Sequence, residues 1–449
     1  MAFCLALYAV AHVAVLQEAH ETGFHGRFSD VVSLFWTDAT APFAVNGSAL
    51  PDVDFDIGES YAGRSRLTIR EENSSSDNEI TIWLNGGPGC SSLYGFLRDQ
   101  GPVLWRQGTH TPVRNPWSWS NLTNVVWVDQ PVGTGFSQGT PNATSSETAA
   151  VQSLGFWKSF VDLFQLALQG QYVPYIADAM LKQEDEARFH VSGIMIYDPS
   201  FGWPQTFSNH IHNVSTACGY DSFLDAGSAV STSSVLEGCD LYDDIYRAVV
   251  SLNPCFDIYN IGQVCPTPGD VLTSDSPLDQ PYFNRTDVKE AIHAPLAADW
   301  KLCTDMPVIA NFSDKLLPSA LTDGPSQRVI EATNNVTVAH GTLDMILLLN
   351  GTLLKLQNLT WNGAQGFTEP PTNPFYVPPD ETASLPAGAG ELGRWTSDGH
   401  EIPAYQPAAA FRQLELLLGR IKNLSEVSAF TTQRPPSWTS VAGASYRLA

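Results

Sequence analysis

The sequence predicts an α/β fold built on a mostly parallel central sheet with helices on both faces. Three observations point there. Short β-branched runs alternate with helix-period segments, one such run leads straight into a glycine-rich turn, and a cysteine-rich stretch interrupts the alternation once. A chain of 449 residues can bury a large core, in one big α/β domain or two smaller ones.

Residues 46–82 read as short strands broken by polar turns, with NSSSDN (73–78) as a hairpin tip. EITIWL (79–84) is a β-branched, aromatic strand that runs into NGGPGCSS (85–92). NVVWVDQP (124–131) is a second buried strand, and it ends in the glycine-bearing loop VGTGFSQG (132–139). SETAAVQSLGFWKSFVDLFQLAL (146–168) has helical spacing, with Leu154, Trp157, Phe160, Val161 and Phe164 on one face. HVSGIMIYDPS (190–200) is a further strand and loop. Residues 205–303 hold five cysteines, little strand pattern and many turn residues, the composition of a disulfide-stapled insertion. NNVTVAHGTLDM (334–345) returns to strand and loop, the Pro-rich 369–390 is a long excursion, and QPAAAFRQLELLLGRI (406–421) is a closing amphipathic helix. The chain divides into a signal peptide (1–19), the N-terminal part of the α/β domain (20–204), an insertion or cap (205–303) and the C-terminal part of the domain (304–449).

Hydrophobic residues make up 43% and charged residues 16%, which excludes a disordered chain. The 47 acidic residues outnumber 23 basic ones, for a net charge of −24. Such a field repels nucleic acid and anionic membrane and disfavours a phosphate-binding role. It suits a protein that works in acid, and equally one that uses charge for solubility. MAFCLALYAVAHVAVLQ is apolar for about the length of a signal-peptide core and too short and His-interrupted to span a bilayer well, which favours a secretory signal over the alternative of a buried N-terminal helix. Asn46, Asn73, Asn121, Asn142, Asn213, Asn284, Asn311, Asn335, Asn350, Asn358 and Asn423 each begin an Asn-x-Ser/Thr sequon, a density that favours a glycosylated, exported protein. No apolar tail follows SVAGASYRLA, so no lipid anchor is expected. Of seven cysteines, Cys4 lies in the leader. Cys90, Cys218, Cys239, Cys255, Cys265 and Cys303 form an even set without Cys-x-x-Cys spacing, which points to disulfides with their pairing left open. His210 and His212 have no carboxylate partner at ligand spacing, and no metal or cofactor is expected.

A glycine-rich turn after a strand presents unpaired backbone N–H groups, which suits an oxyanion hole, and its glycines let a substrate approach the backbone closely. WLNGGPGCSS has that form. Asp344 sits just after a strand in GTLDM, and His400 lies in the loop SDGHEIP ahead of a helix. Each alone is an ordinary loop residue. Their order, oxyanion loop, then Asp, then His, is that of the α/β-hydrolases.

WLNGGPGCSSLYGFLRDQGP (83–102), NPWSWSNLTNVVWVDQPVGTGFS (115–137), QYVPYIADAML (171–181), LLNGTLLKLQNLTWNGAQGF (348–367) and GHEIPAYQPAAAFRQLELLLGRI (399–421) resemble the serine carboxypeptidases, especially a fungal branch. The resemblance runs from about residue 50 to about 422. It implies an α/β-hydrolase that removes C-terminal residues from peptides at acid pH. By position, Gly87 would supply an oxyanion N–H, and Trp83, Asn85 and Gly86 would meet the substrate's terminal carboxylate. Asp99 stands where the family usually has a glutamate that helps this recognition. Asp344 would orient His400, the general base. The family's long disulfide would join Cys90 to Cys303, with Cys218–Cys239 and Cys255–Cys265 as local loops.

The departure is at the nucleophile. In the family a strand and the elbow Gly-Glu-Ser-Tyr-Ala-Gly come directly before the segment that reads QYVPYIADAML here. This chain reads FVDLFQLALQGQYVPYIADAML (160–181), and a gapless count puts Ala167 at the nucleophile and Leu166 at the preceding glutamate. Ser153 and Ser159 fall inside the amphipathic helix. GESYAGR (58–64) offers Ser60 in the right letters, but it precedes the oxyanion loop and leads into a hairpin rather than a helix, so Ser60 is rejected. The strand that normally leads into the histidine loop is also short here (387–403). The expectation is an incomplete sheet, with pieces of the family fold missing from the chain.

Two readings follow. The first is a secreted or vacuolar serine carboxypeptidase whose full product contains the elbow; acyl transfer to an alcohol would use the same triad. The second is a non-catalytic secreted glycoprotein that keeps the carboxylate-recognition loop for binding. The expected partners are peptide or protein C-termini and N-linked glycans, with no nucleic acid and no membrane span.

Overall fold

A computed structural model describes residues 35–63, 65–68, 79–164, 174–199, 242–265, 269–273, 276–305, 307–309, 324–347, 349–367, 375–378, 399–431 and 444–448. The apolar leader, the tip 73–78, Leu166, Ala167, Cys218, Cys239, Asn73, Asn213 and Asn311 lie outside these residues.

The N-terminal strands are β1 (Ala44–Val45), β2 (Ser60–Ala62), β3 (Ser65–Thr68) and β4 (Ile80–Trp83). β5 (Val103–Leu104) and β6 (Val113–Arg114) form a separate antiparallel pair, followed by β7 (Asn124–Val128). The first sheet runs β1-β2-β3-β7-β4. Its outer pairings are antiparallel, while β4 and β7 are parallel, with Ile82 opposite Val126. All five residues of β7 are buried, as a strand covered on both faces requires. The alternation of side chains sends Val125 and Trp127 to one core and Val126 and Val128 to the other.

The second sheet contains β8 (Ile194–Tyr197) and β9 (Val336–His340), paired in parallel. β10 (Thr360–Trp361) and β11 (Ala364–Gln365) form a hairpin, and β12 (Ala444–Leu448) lies antiparallel on the outer side of β9. The order is β12-β9-β8. Among the described residues β4 and β8 are therefore both edges, and no described strand joins them.

The helices are α1 (Leu93–Arg98), α2 (Ser146–Phe164), α3 (Pro174–Leu181), α4 (Tyr242–Leu252), α5 (Thr286–Ala291), α6 (Pro325–Thr333), α7 (Leu349–Asn358), α8 (Ile402–Tyr405) and α9 (Pro407–Leu417). The five apolar residues expected on one face of α2 are all buried. They pack with Ile80, Ile82 and Val126 of the first sheet and with Ile194, Val336 and Val338 of the second, so one core runs beneath both. On the opposite face Phe411 and Leu414 of α9 join Val125, Trp127, Phe96 and Trp105. Each such large apolar side chain contributes on the order of 1.5–3 kcal/mol by leaving water.

Cys90 is bonded to Cys303 across 213 residues, and Cys255 to Cys265 across 10. The described part of 205–303 contains helices and turns but no strand. Among the described residues no helix is long and apolar enough to cross a membrane.

Candidate active site

β9 ends at His340, and the chain turns sharply over Gly341–Leu347. In this turn the fully buried Asp344 carboxylate accepts the N–H groups of Ile346 (2.8 Å) and Leu347 (3.0 Å) on Oδ1. Its other oxygen, Oδ2, lies 2.7 Å from His400 Nδ1. A carboxylate there makes Nδ1 the protonated nitrogen and leaves Nε2 as the free basic position. His400 sits just ahead of α8 with its side chain 28% exposed, so the ring is held from behind and open in front.

His340 lies behind this pair and was not singled out from the sequence. Its Nε2–H donates to the Leu347 carbonyl, and Nδ1 is 3.0 Å from Thr352 Oγ1. Burial pushes its pKa down to about 4, and one donor and one acceptor match the neutral ring. Asp198 and Asp344 bring carboxylate oxygens within 3.6 and 3.8 Å of Nε2. One ligand atom from each of Asp198, His340 and Asp344 lies within 4.8 Å of the others, the spacing of an ion-binding group. Nε2 carries its proton toward Leu347, however, so the group acts as a hydrogen-bonded support for the turn that holds Asp344. A polar residue ending the apolar run VTVAH was the signal for it in the sequence.

The glycine turn follows β4. Gly87 has φ +123°, and a Cβ there would come 2.8 Å from the Gly89 nitrogen. Among the described residues a Cβ at Gly86 would meet nothing within 4 Å, so none of them covers this face of the turn. The Gly87 N–H has no hydrogen-bond acceptor among the described residues, the condition for an oxyanion donor. The turn is anchored from below by Asp129, which accepts Ser91 Oγ–H (2.7 Å), Ser92 N–H (2.9 Å) and Phe136 N–H (2.9 Å). Gly135, at φ +47°, is needed there because a Cβ would collide with Asp129 Oδ2. Cys90–Cys303 ties the far side, flanked by bonds from Ser91 N to Leu302 O (2.7 Å) and from Thr304 N to Gly89 O (3.0 Å).

Trp83 Nε1–H donates to Asn85 Oδ1 at 2.6 Å, which orients the Asn85 amide. The Trp83 ring packs against Trp119 and Tyr197. Asp99, at the C-terminal end of α1, is 4% exposed, and its Oδ1 has no hydrogen-bond partner among the described residues. Burial, and then the neighbouring Glu401 charge, hold its carboxyl well above the usual range. Glu401, also raised by burial, is hydrogen-bonded by the Tyr94 hydroxyl and interacts with the His400 charge. It follows His400 in sequence and connects the Asp99 side of the site to the Asp344–His400 pair. Sequence reading missed Glu401 because nothing in GHEIP shows what its side chain faces.

The nucleophile position remains open. Ser60 is in β2, paired with Val45 and Thr68, and its hydroxyl donates to Gly58 O at 3.2 Å. Ser153 and Ser159 donate to carbonyls of their own helix. Among the described residues no hydroxyl or thiol is hydrogen-bonded to His400 Nε2, and 165–173 lie outside them.

The serine carboxypeptidase family profile matches residues 67–419. A carboxypeptidase Y homolog of Arthroderma benhamiae is 40% identical over 451 residues, covering 87% of this chain and 89% of the relative. The serine-type carboxypeptidase F of Aspergillus niger is 36% identical over 482 residues, covering 86% and 88%. In fold, the chain is similar to the crystal structure of Kex1(delta)p, a prohormone-processing carboxypeptidase from Saccharomyces cerevisiae. The TM-score is 0.62 at 18% identity, over 86% of this chain and 98% of that one. The fold is that of the α/β-hydrolases, and the chain belongs to the serine carboxypeptidase family.

Proposed function

We propose that this site takes the C-terminal carboxylate of a peptide and is built for serine carboxypeptidase chemistry at acid pH, but that the chain as written lacks the nucleophile. The observation that carries the reading is the buried Asp344 carboxylate holding His400 Nδ1 at 2.7 Å, in a chain whose glycine turn leaves the Gly87 N–H without an acceptor among the described residues. In the reaction, His400 Nε2 takes the proton of an attacking hydroxyl, and Asp344 stabilises the imidazolium that forms. The Gly87 N–H receives the oxyanion. Asn85 and the neutral Asp99 carboxyl hold the substrate's terminal carboxylate. At acid pH Asp99 and Glu401 are protonated and accept an anion; as pH rises through their raised values they become anionic and repel it.

Two observations support a missing segment. Among the described residues β4 and β8 are both edges, where the family's elbow strand would pair on each side. The alignments to the relatives run over 451 and 482 positions, more than the 449 residues of the whole chain, so each relative carries segments with no counterpart here. Removing a triad nucleophile leaves only the residual rate from binding and the oxyanion hole. A non-catalytic carboxylate-binding glycoprotein is the second reading, favoured by the lack of any serine bonded to His400 among the described residues. Passage through the secretory pathway, with 205–303 as a cap on the hydrolase domain, completes the proposal.

The deciding experiment is to sequence the transcript across the codons for Phe160 to Tyr175 and to treat the expressed protein with a fluorophosphonate probe. About 12 additional codons for a strand and a serine elbow, with covalent labelling, would establish the peptidase. An unaltered transcript and no labelling, with binding of free-carboxylate peptides, would establish the binder. No labelling and no such binding would overturn both.

A further inference from the structure

The loop closed by Cys255–Cys265 lies against both halves of the Asp344–His400 pair. The Ile258 carbonyl accepts the N–H groups of Met345 (2.8 Å) and Ile346 (3.1 Å), and Ile261 N–H donates to the Leu343 carbonyl (3.0 Å). One residue along, the Tyr259 carbonyl accepts His400 N–H at 2.7 Å, and the Tyr259 ring packs on the imidazole at 5.3 Å. Gly399 meets this loop so closely that a Cβ would collide with the Tyr259 carbonyl. Among the described residues no backbone hydrogen bond joins the 341–347 turn directly to residues 399–401. The side chains of Asp344 and His400 join the two segments through their own hydrogen bond.

We propose that the Cys255–Cys265 loop is the positioning element of the dyad: a clamp whose backbone holds the aspartate turn with one residue and the histidine loop with the next. The inference rests on the reading of Asp344 and His400 as the working pair. Within the loop, Tyr259 N–H donates to Asp257 Oδ1 (2.9 Å), Gly262 N–H to Asn260 Oδ1 (3.0 Å), Asn260 N–H to the Asp257 carbonyl (3.1 Å) and Gln263 N–H to the Asn260 carbonyl (2.9 Å), so it holds its own shape as a unit. Asn253 spans it, with Nδ2 donating to Gln263 O at 3.0 Å and Oδ1 accepting Cys255 N–H at 3.2 Å, and the disulfide closes it beside an exposed Cys265. The loop is at the surface, and cross-linking its ends restricts its freedom to peel away. Held this way, the clamp keeps the His400 ring at hydrogen-bond distance from Asp344 before any ligand arrives, which is the preorganisation that such a pair needs.

The test is the double variant C255S/C265S, which opens only this cross-link. It is read without turnover, so that its failure is distinct from failure of the peptidase reading. Amide hydrogen exchange at Met345, Ile346 and His400 is expected to quicken about tenfold or more, with amides of β7 and β9 unchanged. A downfield Nδ1–H proton resonance of His400 is expected in the unaltered chain and is expected to broaden or vanish in the variant. Unchanged exchange and an unchanged resonance with the disulfide gone would overturn the proposal. Should the double variant fail to fold, Ile261→Pro keeps the disulfide and removes one clamping donor. Faster exchange at Met345 and Ile346 there supports the clamp, and unchanged protection overturns it.

Discussion

Trp83 at the end of β4 and Tyr197 at the end of β8 bring their rings to 6.1 Å, although no described strand lies between those two edges. Aromatic side chains thus meet at the carboxyl ends of the two half-sheets, the end at which open α/β sheets place their sites. Buried strand edges leave backbone donors and acceptors without partners. The proposed elbow strand would pair with both edges.

The first prediction concerns that edge. Inserting a strand and Gly-Glu-Ser-Tyr-Ala-Gly between Phe164 and Pro174 is expected to raise the melting temperature by roughly 5 °C, from two new ladders, and to confer fluorophosphonate labelling. A labelled but unstabilised product would place the elbow correctly while removing the edge-pairing argument.

Carboxylate recognition can be measured on the chain as it stands. Asp99→Ala and Asn85→Ala are each expected to weaken binding of a free-carboxylate peptide about tenfold, and to leave the corresponding amide unaffected. Calorimetry with the paired peptides reads this directly. Equal losses on both would remove these residues from the carboxylate site.

Asp99 also makes a stability prediction. Its folded-state carboxyl is raised above the ordinary value of 3.8, first by burial and then by Glu401. The folded chain therefore holds a proton that the unfolded chain has released, and stability falls as pH rises from about 4 through the folded value. Each unit of elevation corresponds to about 1.4 kcal/mol. Asp99→Asn should flatten this part of the profile, recorded as unfolding midpoint against pH.

His340 acts with the opposite sign. Burial lowers it from 6.5 to about 4, so the unfolded chain binds the extra proton between those values, and stability rises with pH across that window. The contribution is on the order of 3 kcal/mol. His340→Gln should remove it, and should also loosen the Leu347 carbonyl behind Asp344. A profile identical to the parent between pH 4 and 6.5 would refute the assignment.

The proposed glycans can be sorted by exposure. Asn46, Asn142 and Asn423 are exposed. Asn284 Nδ2 donates to Trp300 O at 2.8 Å, and Asn335 Nδ2 donates to Ser192 O and Leu417 O at 3.0 and 2.9 Å. A sugar on either of the latter would replace a hydrogen that the fold uses. Peptide mass mapping of protein from a glycosylating host should find occupancy at the first three and none at the other two.

Much of the framework is legible in the sequence because it is local. EITIWL, NVVWVDQP and NNVTVAHGTLDM declare strands by composition, and the five-residue apolar face of α2 follows from its period. The glycine turn, Asp344 and His400 are likewise written as short motifs in a fixed order. What tertiary structure alone decides is what faces those motifs: His340 beneath Asp344, Glu401 beside Asp99, and the Cys255–Cys265 loop between the turn and the histidine. These depend on backbone groups and buried charges from segments far apart in the chain. Hydrogen bonds to a main-chain carbonyl, and the desolvation of a carboxyl, leave no mark in residue type or spacing, because any residue can supply the carbonyl and only the packed surroundings supply the burial.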